Sequence, residues 1–219
     1  MKIGIISFPG ANRTSDISNC VINFGKNVTI LRDSTNLSKY DLIILPGGFT
    51  FGDKNGCGKL AAKQPIISDL IKAAKEKQHI LGICNGFQIL TQIGLLPGTL
   101  LPNANGRFIS NLVDIEVSTN ATSLTKNYNK KEIIRLPVAH YNGMYTASIE
   151  TLNILKDNDQ ILMRYKENIN GSIDNIAAIC NIDKTIFGMM PHPENAYLPH
   201  HLSQDGCKLF SSILNKAIS

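Results

Sequence analysis

Short apolar runs, each stopped by proline or glycine, alternate with segments of helical periodicity through the first half of the chain, and few folds accept that pattern. Residues 2–8 (KIGIISF) stop at Pro9-Gly10. Residues 41–45 (DLIIL) stop at Pro46-Gly47-Gly48, and residues 79–83 (HILGI) run into Cys84-Asn85-Gly86. Residues 27–31 (NVTIL) form a fourth run. Near-continuous apolar runs of this length fit strands buried on both faces. Between them, residues 16–24 end at Gly25 and residues 85–93 end at Gly94, as helices commonly do. Residues 65–77 place Ile66, Ile67, Leu70, Ile71 and Ala74 on one helical face and lysines on the other. Strands joined by helices in this way predict an α/β fold: an open, mostly parallel twisted sheet with helices on both faces.

The second half reads differently. Residues 113–117, 132–138, 161–165, 176–181 and 185–189 have strand character, and their links are rich in Asn, Ser, Thr and Gly. They predict an antiparallel extension and the far edge of the same sheet. Residues 204–217 predict a closing helix. No repeat, low-complexity tract or linker interrupts residues 1–219, so one domain is expected.

Composition excludes several classes. With 219 residues the chain can bury a core without disulfides or metal. A hydrophobic share of 43% with 18% charged residues rules out a disordered chain or a coiled coil. The net charge is 22 − 17 = +5, but the lysines are scattered and no basic stripe is interleaved with aromatics. No nucleic-acid partner is therefore expected. The five cysteines are odd in number and none are spaced as CxxC, which fits a reducing compartment. The N-terminal apolar run is too short for a signal-peptide core. The stretch 78–105 lacks Asp, Glu, Lys and Arg but carries Asn85, Gln88, Gln92 and Pro97, so it is not a membrane span. A cytoplasmic protein is expected.

The chemistry is concentrated in three short motifs. Gly82-Ile83-Cys84-Asn85-Gly86 has the form G-x-nucleophile-x-G where a strand meets a helix. Such a turn strains the nucleophile's backbone, and the flanking glycines relieve crowding. It also sets the sulfur at a helix N-terminus and leaves the Asn85 N–H for a developing oxyanion. A nucleophilic cysteine needs a base, and the base needs an orienting partner. His79 begins a strand, and His200 with His201 has no ligand or acid at useful spacing, so no metal site is expected. His192, in Met190-Pro191-His192-Pro193-Glu194, is the better base. Pro193 biases His192 toward extended backbone, and extended residues two apart point the same way, so Glu194 is the expected orienter. A third piece, Pro46-Gly47-Gly48-Phe49, follows a strand and can offer a backbone N–H to an oxyanion. All three belong at the carboxyl ends of strands, where open α/β sheets place their ligands.

In this order the motifs resemble the class I (triad) glutamine amidotransferases, over nearly the whole chain. The nearer resemblance is to the glutaminase subunits of phosphoribosylformylglycinamidine synthase. It is carried by Phe8-Pro9-Gly10 with Asn12, by residues 47–53 (GGFTFGD) and 82–90 (GICNGFQIL), by residues 94–98 (GLLPG), by Asn103 with Arg107-Phe108, by Pro137-Val138-Ala139-His140 and by residues 189–194 (MMPHPE). The resemblance implies a triad of Cys84, His192 and Glu194 and an oxyanion hole at Gly48 and Asn85. It also implies glutamine contacts at Gly47, Phe49, Gln88 and His140. It implies L-glutamine as substrate and a larger synthetase subunit as partner, with or without a small accessory subunit. ATP and magnesium would be used by that partner; this chain has no GxxxxGK[ST] and no cofactor of its own is expected. Three departures from the family pattern stand out: Lys54-Asn55-Gly56, Tyr141-Asn142-Gly143, and Asn195 where the family often has arginine. The competing readings are a glutaminase of another amidotransferase, a related cysteine hydrolase with histidine directly after the nucleophile, and a catalytically idle regulatory subunit.

Overall fold

The computed structural model describes residues 1–53 and 58–214. In the first half β1 (Lys2–Ile6), α1 (Thr14–Asn23), β2 (Asn27–Leu31), β3 (Leu42–Leu45), α2 (Ile66–Lys75), β4 (His79–Ile83) and α3 (Asn85–Gln92) alternate as expected. All four residues of β3 are buried, as are the last four of β1 and of β4. Burial on both faces is why these strands read as unbroken apolar runs. In α2 the buried stripe is Ile66, Ile67, Leu70 and Ala73; Ile71 and Ala74, expected on the same face, are only partly buried.

The second half contributes β5 (Thr99–Leu101), β6 (Ile109–Val117), β7 (Ile133–His140), β8 (Met144–Thr146), α4 (Ile149–Asp157), β9 (Ile161–Tyr165), β10 (Ile176–Cys180), β11 (Ile186–Met189) and α5 (Gly206–Leu214). The main sheet has nine strands in the order β2-β1-β3-β4-β11-β10-β9-β6-β7. From β2 to β11 the neighbours are parallel, and from β11 to β7 they are antiparallel. This is the expected α/β sheet with its antiparallel extension. β11 is the joint: it returns from the second half to lie parallel to β4, beside the chain's first-half strands.

Three elements were not legible beforehand. β5 and β8 form a separate ribbon of three residues each, too short to show a pattern. α4 hides because Leu155 is its one buried residue, while Ile149 and Ile154 face solvent. Its start is nonetheless marked by Ser148, whose hydroxyl caps the Thr151 N–H at 3.1 Å. The end of the expected last helix, residues 215–217, and the departures at Lys54-Asn55-Gly56 lie outside the described residues. Among the described residues no helix is long and apolar enough to cross a membrane. Cys20, Cys84, Cys180 and Cys207 are free thiols.

Candidate active site

Three neighbouring parallel strands deliver the three motifs to one edge of the sheet. Gly47-Gly48 lie just past β3, Cys84 directly follows β4, and the segment leading to His192 follows β11. Leu45 is in register with Gly82, and Ile83 with Met189. The Cys84 N–H donates to Met189 O at 2.7 Å, tying the nucleophile candidate to the strand that carries the base.

Cys84 has φ 50° and ψ −103°, the strained turn that the motif demands. Such a conformation costs on the order of 1–3 kcal/mol and persists only where the surroundings enforce it. The flanking glycines are required by close approach. A Cβ on Gly82 would lie 2.7 Å from the Gly86 backbone, and one on Gly86 would strike the carbonyl group of Leu45. Gly86→Ala is therefore expected to push α3 off β3. The overpacking should lower the melting temperature by about 5–10 °C, measurable by calorimetry. The turn leaves the sulfur at the N-terminus of α3. The Cys84 thiol donates to Ala139 O on β7 at 3.7 Å.

His192 Nδ1 and Glu194 Oε1 are 2.7 Å apart, and both side chains are buried. The expected pairing is present, but it arises differently from the extended geometry read from the sequence. His192 (φ −107°, ψ 82°) leads into a 3-10 turn, Pro193–Asn195, with Pro193 at its first position. The fixed φ of proline suits that position. The turn, not strand alternation, carries Glu194 under the ring. The His192 N–H donates to Pro137 O at 2.8 Å, so β7 braces the base as well as the nucleophile. A carboxylate only accepts, so Nδ1 carries the proton and Nε2 is left for the sulfur side. Nε2 is buried without a hydrogen bond among the described residues. Burial pushes the His192 pKa down, but the charges of Glu194 and then Cys84 outweigh it and hold it above the ordinary histidine value.

One cavity gathers most of the remaining candidates. Gly48, Phe49, Gln88 and His140 line it together with Cys84 and His192. Gly47 is not among the lining residues but packs against them: a Cβ there would be 2.7 Å from His192 Cε1 and 3.4 Å from Cys84 Cβ. Glu194 and Asn85 lie behind the surface and are fully buried. Gln88 is held at both ends, accepting from Asn85 Nδ2 at 2.7 Å and donating to Asn142 O at 2.7 Å. The loop after β1 packs hard on Gly48, where a Cβ would be 2.7 Å from both Asn12 N and Gly10 O.

His140 is a case where the network settles the tautomer. Asn103 Nδ2 donates to Arg107 O at 2.8 Å and to His140 O at 3.0 Å, so Asn103 Oδ1 is the acceptor. That oxygen takes the Gly143 N–H and His140 Nδ1, each at 3.1 Å. His140 therefore donates from Nδ1, and its buried Nε2 is an acceptor with no partner among the described residues. Burial, then the charge on His192, lowers the His140 pKa to about 4, so the ring is neutral near pH 7.

Sequence reasoning missed the bracing role of Pro137 and Ala139 and the presence of Arg13, Tyr141 and Asn142 in the cavity wall. The available signal for Arg13 was its place after Pro9-Gly10, at the end of a strand beside β3.

A thiol on a strained elbow, an imidazole held by a buried carboxylate and a helix N-terminus are the equipment of nucleophilic acyl transfer. On this fold they define an amidotransferase-type cysteine hydrolase. The chain belongs to the family of CobB/CobQ-like glutamine amidotransferase domains, whose sequence model matches residues 1–206. It is 42% identical over 219 residues to the phosphoribosylformylglycinamidine synthase subunit PurQ of Rhizobium meliloti, covering 98% of each chain. It is 40% identical over 222 residues to the subunit of the same name from Trichormus variabilis, covering 100% of this chain and 99% of the relative. Among solved structures it is similar to a chain of PurLQS from Thermotoga maritima, with TM-score 0.91, 39% identity, and 98% and 97% of the two chains covered.

Proposed function

We propose that this chain is the glutaminase subunit of phosphoribosylformylglycinamidine synthase. The observation that carries the reading is the convergence of Cys84, His192 and Glu194 at the ends of adjacent strands β4 and β11, in a chain matched end to end by relatives of that name. The Cys84 thiolate attacks the side-chain amide carbon of L-glutamine and forms a C–S bond. Backbone N–H groups of Gly48 and Asn85 take the oxyanion, where losing one donor typically costs about 100- to 1,000-fold in rate. His192 passes its proton to the amide nitrogen, the C–N bond breaks and ammonia leaves. The imidazole then draws a proton from water, which attacks the thioester and releases glutamate with the thiol restored. Glu194 keeps the ring in the required tautomer throughout.

The ammonia goes to a larger synthetase subunit, which spends ATP to convert formylglycinamide ribonucleotide to the amidine. The similarity to a PurLQS chain and the word "subunit" in the relatives' names support a multi-subunit assembly. Cytoplasmic location fits a catalytic thiol that must stay reduced. The test is the rate of glutamate release with and without the synthetase subunit from the same cell. A marked rise on addition is expected, together with glutamine-dependent amidine formation. No rise and no amidine would overturn the assignment.

A further inference from the structure

We propose that Arg13 binds the α-carboxylate of the glutamine substrate, an inference that rests on the glutaminase reading above. Arg13 immediately precedes α1 and runs past Gly47, whose added Cβ would lie 3.4 Å from Arg13 Cγ and 3.4 Å from Cys84 Cβ. Its side chain borders the same cavity as Cys84 and His192. Of its three guanidinium nitrogens, Nη1 alone is engaged. It donates to Asp16 Oδ2 at 2.9 Å and to Asn195 Oδ1 at 3.3 Å. Nε and Nη2 make no hydrogen bond among the described residues. Those two N–H groups lie side by side and match the two oxygens of a carboxylate.

The rest of the cavity gives that carboxylate nowhere better to go. Among the described residues lining it there is no lysine, and no aspartate or glutamate to repel it. His140 is neutral, and its Nε2 is a buried acceptor that offers a carboxylate no proton. His192 is committed to Glu194 and to the amide end of the substrate. Arg13 is thus the one fixed cation in the described wall. Asp16 and Asn195 fix the guanidinium before substrate arrives, which reduces the entropy lost on binding. Asn195, which follows directly on Glu194, accepts from the guanidinium and so ties it to the segment that carries the base.

The experiment compares L-glutamine with L-glutaminamide, which has the same side chain but a neutral α-carboxamide, in the chain assembled with its synthetase subunit. For Arg13→Ala the kcat/KM for glutamine should fall about 10- to 100-fold, as expected for losing a hydrogen-bonded charge partner. Most of the fall should be in KM, and glutaminamide should change little, so the preference for glutamine collapses. Arg13→Lys should restore part of it as a point charge without the fork. An unchanged preference, or equal losses for both substrates, would overturn the proposal by showing that Arg13 only braces Asn195, and would leave the glutaminase assignment standing. A wild-type assembly that hydrolyses neither substrate would bring down the assignment and this inference together.

Discussion

Cys84→Ala should reduce glutamine hydrolysis by about 10⁴-fold or more, the scale seen when the nucleophile of a triad is removed. The variant should remain folded. The side chain loses one weak hydrogen bond, to Ala139 O, and alanine imposes no larger Cβ on the strained turn than cysteine does. Among the described residues no other thiol is suited to take its place. Burial raises the Cys20 and Cys207 thiols, and it pushes Cys180 up to about 12, so none of them supplies thiolate near pH 7. Assembly with the synthetase should persist, and so should amidine formation when ammonium salts replace glutamine. The two assays separate the half-reactions: glutamate release should vanish while ammonia-dependent synthesis stays near the wild-type rate. Glutamate release within tenfold of wild type would show that Cys84 is not the nucleophile. Loss of both activities would show instead that the cysteine matters for assembly.

How much of this was legible beforehand depends on how local the cause is. The central parallel strands were legible because burial on both faces writes itself as an apolar run, and β4 has the expected bounds; so do β2 and the antiparallel β9. The Cys84 elbow was legible because its steric requirements lie within five residues, and the close approaches at Gly82 and Gly86 bear that out. The coupling of His192 to Glu194 was read correctly in outcome but not in cause, since Pro193 starts a 3-10 turn where extended backbone was expected. What stayed hidden was long-range. Nothing in the order of residues says that Pro137 O receives the His192 N–H, or that Ala139 O receives the Cys84 thiol. Both contacts join β7, the far edge of the sheet, to motifs on β4 and β11. Arg13 was hidden for the same reason: its partner Asn195 is 182 residues away. An isolated arginine next to a turn carries no signal until the fold sets it against the cavity.

Gly47→Ala is the second substitution with a large expected effect, and it tests the geometry of the base where Cys84→Ala tests the nucleophile. Gly47 does not need glycine for its backbone, since its φ lies outside the left-handed region that side chains avoid. Alanine there should cost no backbone strain and slightly restrict the unfolded chain, a gain of about 0.4–1 kcal/mol where nothing clashes. The clash is specific. The new Cβ would sit 2.7 Å from His192 Cε1, the carbon between the two ring nitrogens. The ring cannot simply retreat, because Nδ1 is held by Glu194 at 2.7 Å and the His192 backbone by Pro137 O at 2.8 Å. It must tilt, and the tilt moves Nε2 away from its line to the Cys84 sulfur. A misplacement of about 1 Å typically costs about 100-fold in rate. The expected result is a fall of that size in kcat, with a smaller change in KM and a melting temperature within a few degrees of wild type. Alkylation of Cys84 by iodoacetamide should slow in parallel, because the displaced imidazole is no longer placed to accept the thiol proton. A variant that keeps wild-type kcat and alkylation rate would show that His192 has room to move, and that its tight seat against Gly47 is not what aligns the base with the thiol.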